Sequence, residues 1–258
     1  MTLAELEERR AYECRLTADR ALETLEDAEE FLRHRGLLTR TADSALPSLF
    51  EACHEEPYAR EKPGFGRWPA TTFPWFGQLG VRGHLILGIH RGKSLLVTDD
   101  VAAMLDPICR AELARMEAAD EGWARLLHHL ADAGPSELED LQTELGLAPK
   151  ELKSLRSPLE RCGAVVARPL VYDEPHRHTS LLSRWDQVHA APATNRDPRQ
   201  ALGDLVCAGV RASVVAPERE LSGWFSWRWY WDGGLLDDLV EADRLARVDG
   251  HVTASTAG

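Results

Sequence analysis

The stretch ELGLAPKELKSLRSPLERCGAVV, Glu144 to Val166, decides how the chain is read. It opens on a helix end at Gly146, makes a tight turn and enters a second helix. On that helix Leu152, Leu155, Leu159 and Cys162 share one stripe, the face a core would cover. Gly163 stops the helix, and AVVARPLVY follows as an apolar strand. Pro158 lies inside the helix and is expected to bend it. The pattern is either a helix-turn-helix that reads DNA or three elements closing a small core.

The neighbouring segments extend the pattern. EGWARLLHHLADAG places Trp123, Leu126, Leu127 and Leu130 on one face and ends at Gly134. PSELEDLQTELG offers Ser136 as an N-cap with Glu139 three residues on, the spacing of a capping box. After the strand, DEPHRHT reads as a turn and SLLSRWDQVHA as a returning strand. Three short helices followed by a hairpin is the winged-helix order. Later, DDLVEADRLARVDGHVT repeats the plan of SPLERCGAVVARPLV: a leucine-striped helix, a basic or glycine break, then a strand.

The N-terminal part is less regular. Ala21, Leu22, Leu25, Ala28, Phe31 and Leu32 fall at helical spacing before Gly36, and LPSLFEACHE reads as a short helix with Pro47 in its first turn. Residues 57–80 are rich in proline, glycine and aromatics and are expected to form an irregular loop. HLILGIHRGKSLLVTDD reads as strand, basic turn and strand, with Asp99 or Asp100 capping the next helix and Pro107 kinking or restarting it. HAAPATNRDP has the composition of a linker. RQALGDLVCAGVRASVVA and PERELSGWFSW read as helical.

Together these features predict an α+β, mainly helical chain of tandem winged-helix domains, each a helix-turn-helix plus a β-wing. The expected divisions are an N-terminal winged-helix-like domain over 1–118 with the aromatic loop, a central one over 119–191 and a C-terminal one over 192–258.

Composition narrows the function classes. With 258 residues, 44% of them hydrophobic, the chain is long enough to bury a sizeable core without staples. No apolar run is long enough to span a bilayer, and MTLAELEERR lacks the apolar region of a signal peptide, so a cytoplasmic protein without membrane partners is expected. Five dispersed cysteines with no CxxC spacing indicate neither a disulfide framework nor a zinc site. The net charge of −12 argues against nonspecific nucleic-acid binding. The charge is uneven, however. Residues 1–36 carry ten acidic and six basic side chains, whereas 150–185 carry seven basic and four acidic. A local basic surface is compatible with docking on DNA in one orientation.

Candidate contacts follow from this. With the leucine stripe facing inward, Lys150, Lys153, Arg156 and Arg161 are left outward, where they can reach phosphates and guanine edges. The wing would add Arg168, His176, Arg177 and His178. The turn GIHRGKS, which lacks the first glycine of a P-loop, would add His90, Arg91 and Lys93. Double-stranded DNA is the partner these residues suit, although such a face can equally be simply solvated. His176 and His178 with Glu174, and His189 nearby, could form a metal cluster, but no fourth ligand is visible, and neither a metal nor a cofactor is expected. Trp224, Trp227, Trp229 and Trp231 could stack on bases, yet their spacing favours a core role. Oligomeric state is not legible.

The order of elements resembles the AlkZ-like family of bacterial winged-helix proteins, which includes DNA glycosylases that excise alkylated bases and unhook interstrand crosslinks. ASVVAPERELSGWFSW and LLDDLVEADRLARVDGHV look like that family's closing domain, and LLTRTADSALPSLFEACHE sits where the family carries its catalytic turn. The resemblance implies a tandem winged-helix DNA repair fold. The family's glycosylases use a Gln-x-Gln or Gln-x-Asp motif, but the turn here reads LTRTAD, with Thr39, Arg40, Thr41 and Asp43. A glycosylase must stabilise positive charge developing on the sugar, and only Asp43 or Glu51 could substitute. A lone carboxylate in this context is expected to cap the following helix instead. The expectation is therefore a DNA-binding relative with weak or absent base excision. The alternatives are an active glycosylase on alkylated or crosslinked bases, and a noncatalytic transcriptional regulator or resistance or interaction module on the same fold.

Overall fold

A computed structural model describes residues 1–55, 57–58, 68–69, 71–172, 177–190 and 196–255, with the backbone alone at 57, 58, 68, 171, 172, 177 and 178. The expected loop over 57–80, the wing tip and the linker HAAPATNRDP lie wholly or partly outside these residues.

The chain opens with helix α1 (Leu3–Glu13). A first group follows: α2 (Leu25–Arg35), β1 (Leu37–Thr39), α3 (Leu49–Cys53), the short pair β2 (Pro57–Tyr58) and β3 (Trp68–Pro69), α4 (Trp75–Val81), β4 (Leu85–His90) and β5 (Lys93–Val97). The long helix α5 (Asp99–Ala119) leads to a second group: α6 (Glu121–Ala133), β6 (Ser136–Glu137), α7 (Leu138–Leu145), α8 (Pro149–Arg161), β7 (Val165–Tyr172) and β8 (Arg177–Arg184). After α9 (Trp185–Val188) comes a third: α10 (Pro198–Ser213), β9 (Val215–Pro217), α11 (Leu235–Glu241), β10 (Leu245–Val248) and β11 (His251–Ala254).

Each group builds a three-stranded antiparallel sheet with the same topology. The strand orders are β1-β5-β4, β6-β8-β7 and β9-β11-β10. In each, a lone strand joins the far arm of the following hairpin, a topology consistent with a winged-helix-like fold. After residue 195 the third group repeats this strand order, with 3₁₀ turns at Glu218–Gly223 and Arg228–Tyr230 where the second group has its middle helix. The fold is thus α+β and mainly helical. Among the described residues no helix is long and apolar enough to cross a membrane.

The opening stretch forms the expected helix end, second helix and strand, with Pro158 inside α8. Gly146 ends α7 in the left-handed region, and Leu152, Leu159 and Cys162 are buried while Leu155 packs beside them. Each leucine so buried stabilises the fold by roughly 2 kcal/mol. A larger apolar cluster joins β4, β5 and α5 to α10, Trp224, Trp227 and α11. The first and third groups therefore share one core.

Local details differ from the sequence expectations, each for a visible reason. Ser136 does not cap α7: it pairs with Leu182 in the sheet, its hydroxyl donates to the Gly134 carbonyl, and Glu137 occupies the N-cap position. Pro107 does not restart the helix, because α5 runs on through it. Packing of α5 between α10 and α6 outweighs one lost backbone hydrogen bond. Thr98, not Asp99 or Asp100, holds the N-cap position of α5, and the two aspartates lie in its first turn. WFSW is not an α-helix, although Trp224 and Trp227 are buried as their spacing suggested.

Gly163 marks where the second group meets the shared core. Its φ is +77°, and a Cβ there would lie 2.7 Å from the Cys109 sulfur. Gly146 has φ +62° but open space around it. Gly146→Ala is expected to cost roughly 1 kcal/mol for the left-handed backbone. Gly163→Ala should add an overpacking cost on the order of 1–3 kcal/mol. Urea denaturation of both variants checks this ranking, and equal losses would contradict the close packing at Cys109.

Candidate nucleic-acid interface

The β4–β5 hairpin turns on Arg91 and Gly92, both with positive φ (50° and 73°). A two-residue turn of this handedness suits the twist of the paired strands. It sets His90 opposite Lys93. The hairpin tip is then tied to two remote segments. The Ser226 backbone N–H donates to the Ile89 carbonyl at 2.9 Å, and its hydroxyl reaches the same oxygen at 3.0 Å. Arg91 donates through Nε to the Gly223 carbonyl at 3.1 Å and through Nη1 to the Asp43 carbonyl at 2.7 Å.

His90, expected at an exposed tip, instead points inward and is fully buried. Its Nδ1 lies 2.7 Å from the Trp224 carbonyl and its Nε2 3.1 Å from Asp43 Oδ1. Burial pushes the His90 pKa down against the opposing pull of the Asp43 carboxylate. Asp43 also pairs with Lys93. Burial raises its carboxyl pKa, but hydrogen bonds from Lys93 and His90 outweigh that and hold it below the ordinary value. Asp43 is not the helix cap the sequence suggested. Ser48 caps α3, its hydroxyl accepting from the Glu51 N–H at 3.5 Å. Glu51 is half-buried in the first turn of α3.

The other expected contacts separate into two sets. Lys150, Lys153 and Arg161 are exposed along α8, and Arg168 is exposed on β7. Arg156 is half-buried and paired with Glu160 one turn on, so it is not a free outward cation. Arg177 and His178 lie on β8 with only their backbone described, and His176 lies outside the described residues. Of all these, only Arg91 and Arg161 meet at one cleft.

That cleft has a volume of about 1090 Å³ and lies between the hairpin tip, the end of α8, the end of α5 and the 219–231 segment. Five arginines line it: Arg91, Arg115, Arg161, Arg219 and Arg228. Glycines let three of them converge. A Cβ on Gly223 would lie 3.8 Å from Arg228 Nη2 and 4.0 Å from Arg91 Nη2, and one on Gly92 would lie 3.9 Å from Arg161 Nε. Among the described residues, the only ion pair that this trio makes is that of Arg91 with Glu220, at 4.0 Å. Like charges gathered with so little neutralisation favour a bound anion.

Sequence reasoning missed Arg115, Arg219 and Arg228, and its spacing argument gave Trp229 to the core. The core role holds for Trp224 and Trp227, but Trp229 is 54% exposed. The phase was the available signal: Trp224 and Trp227 are three apart, while Trp229 falls two further on, between Arg228 and Tyr230. Glu112, fully buried on α5, organises this wall. Its Oε1 accepts from Trp229 Nε1 at 3.1 Å and from the Tyr230 hydroxyl at 2.9 Å, and its Oε2 accepts from Arg115 Nε at 3.0 Å. Burial, aided by the Glu112 carboxylate, pushes the Tyr230 hydroxyl pKa up to about 12, so it remains a donor.

No protein-family model and no curated protein matches the chain. Among solved structures it is similar to the DNA glycosylase AlkZ of Streptomyces sahachiroi, at 14% identity and a TM-score of 0.57, over 100% of this chain and 70% of that one. At this identity the likeness shows the fold, and the chain has the AlkZ fold that the sequence resemblance implied.

Proposed function

We propose that this chain is a double-stranded DNA-binding protein of the AlkZ fold whose base-excision activity is weak or absent. The observation that carries the reading is the convergence of Arg91, Arg161 and Arg228 on one cleft of a protein whose net charge is −12. An acidic chain has no general attraction for phosphates, so a cation cluster left largely unneutralised is a costly feature without an anionic partner. Exposed Lys150, Lys153 and Arg168 would extend contact along the backbone, with Arg177 and His178 of β8 and with His176, which lies outside the described residues. His90 would serve the hairpin from its buried side and Lys93 from its exposed side, both through Asp43. On this reading the chain comprises three winged-helix modules, 1–118, 119–191 and 192–258.

The case against efficient excision rests on the LTRTAD turn. Thr39 is buried, and its hydroxyl lies within hydrogen-bonding distance of the Thr41 and Pro47 carbonyls, 3.1 and 3.2 Å away. Neither it nor Thr41 offers a carboxylate or amide to a sugar cation. Asp43 is already engaged by His90 and Lys93.

Two experiments test this. In anisotropy titrations across salt concentrations, Arg161→Ala and Arg228→Ala should each lower the slope of log K against log salt by about one unit. Unchanged slopes with the fold intact would remove the cleft from the interface. Incubation with duplexes carrying N3- or N7-alkylpurines should yield few abasic sites. Robust excision, abolished by Asp43→Asn or Glu51→Gln, would show an active glycosylase with a relocated catalytic group.

The structural role of Asp43 has a pH signature. Its folded pKa is depressed, so its stabilisation is complete above the unfolded value of about 3.9 and is lost as pH falls through the folded value. Asp43→Asn should therefore lower the urea midpoint at pH 7, and the gap from the parent chain should narrow in acid. A gap that stays constant down to about pH 2, well below the unfolded value, would contradict the ion-pair role.

A further inference from the structure

We infer that the arginine-lined cleft receives an unpaired nucleotide, its base stacked on Trp229 and its phosphate held by the converging arginines. This rests on the DNA-binding reading above and adds the form of DNA the site prefers. A track for duplex backbone needs cations but no exposed aromatic ring, because paired bases are already stacked on one another.

Trp229 is held as a platform. Its indole N–H is fixed to buried Glu112, and the Arg115 guanidinium lies 5.0 Å from the ring centroid. Arg115 is itself anchored on Glu112, so edge and face are both constrained while more than half of the side chain stays accessible. A ring ordered before binding loses little entropy when a base stacks on it. A cleft of about 1090 Å³ suits one compact ligand rather than a duplex. Arg228, next to Trp229 in sequence, brings the phosphate-binding group to the same wall. The inferred arrangement is a duplex lying outside the cleft with one unstacked nucleotide entering it.

The test compares two labelled probes: a perfect duplex, and the same duplex with one unpaired adenine bulge. The full chain should bind the bulged probe about tenfold more tightly, the scale of one base–aromatic stack. Trp229→Ala should bring the ratio of the two affinities to about one, and Trp229→Phe, which keeps a stacking face, should retain most of the preference. A 2-aminopurine in the bulge should change fluorescence on binding to the parent chain and not to Trp229→Ala. Equal affinity for both probes, or a preference that survives Trp229→Ala, would overturn the inference while leaving duplex binding standing. Failure to bind either probe would overturn the DNA-binding reading and this inference with it.

Discussion

The clasp between the first hairpin and the 223–226 segment is the contact on which the rest of the site depends. Ser226 bonds to the Ile89 carbonyl, Arg91 to the Gly223 carbonyl, and His90 to the Trp224 carbonyl. These residues are more than 130 positions apart in the chain, yet the bonds bring the turn of the first group onto the irregular segment of the third. Trp227 completes the arrangement by donating its indole N–H to the Cys162 carbonyl at 2.9 Å, which ties in the end of α8. The cleft exists because three groups of elements meet at this point.

The clasp also explains the distribution of charge around it. Arg91 spends two donors on backbone carbonyls, so its guanidinium is oriented rather than free to leave for solvent. Asp43 neutralises Lys93 and holds His90 on the buried side of the hairpin. The exposed cations of the cleft, Arg161, Arg219 and Arg228, have no acid partner among the described residues. Elsewhere arginines are commonly paired, as Arg199 is with Asp232 and Asp238 and Arg247 with Glu218 and Asp237. The contrast separates a surface that satisfies its own charges from one that leaves them for a partner.

Much of the fold was legible because it is written in local signals. Leucine spacing on α8, the glycine stops at 36, 134, 146 and 163, and the short turn between β4 and β5 are all near-neighbour effects. Errors arose where distant contacts override a local preference. Ser136 was taken by the sheet, Pro107 was carried within a packed helix, and His90 was drawn inward by Trp224 and Asp43. The cleft was half legible. Arg91 and Arg161 were named from hairpin and helix patterns, but their meeting depends on Gly92 lying against α8. Arg228 and Trp229 belong to a segment without α or β periodicity, so no pattern announced them. Arg115 is oriented by Glu112, which shares the buried face of α5 with Ile108, Cys109 and Met116 but whose charge alone would place it in solvent.

The most direct measurement is backbone amide hydrogen exchange with and without a short duplex at low salt. The central claim is that DNA is bound at the cleft formed by the hairpin tip, the end of α8 and the 219–231 segment. The expected result is slower exchange at 89–93, 159–163 and 219–231 on adding DNA, reversed by raising the salt. Protection confined to other surfaces, or no change under conditions where binding is saturated, would contradict the account.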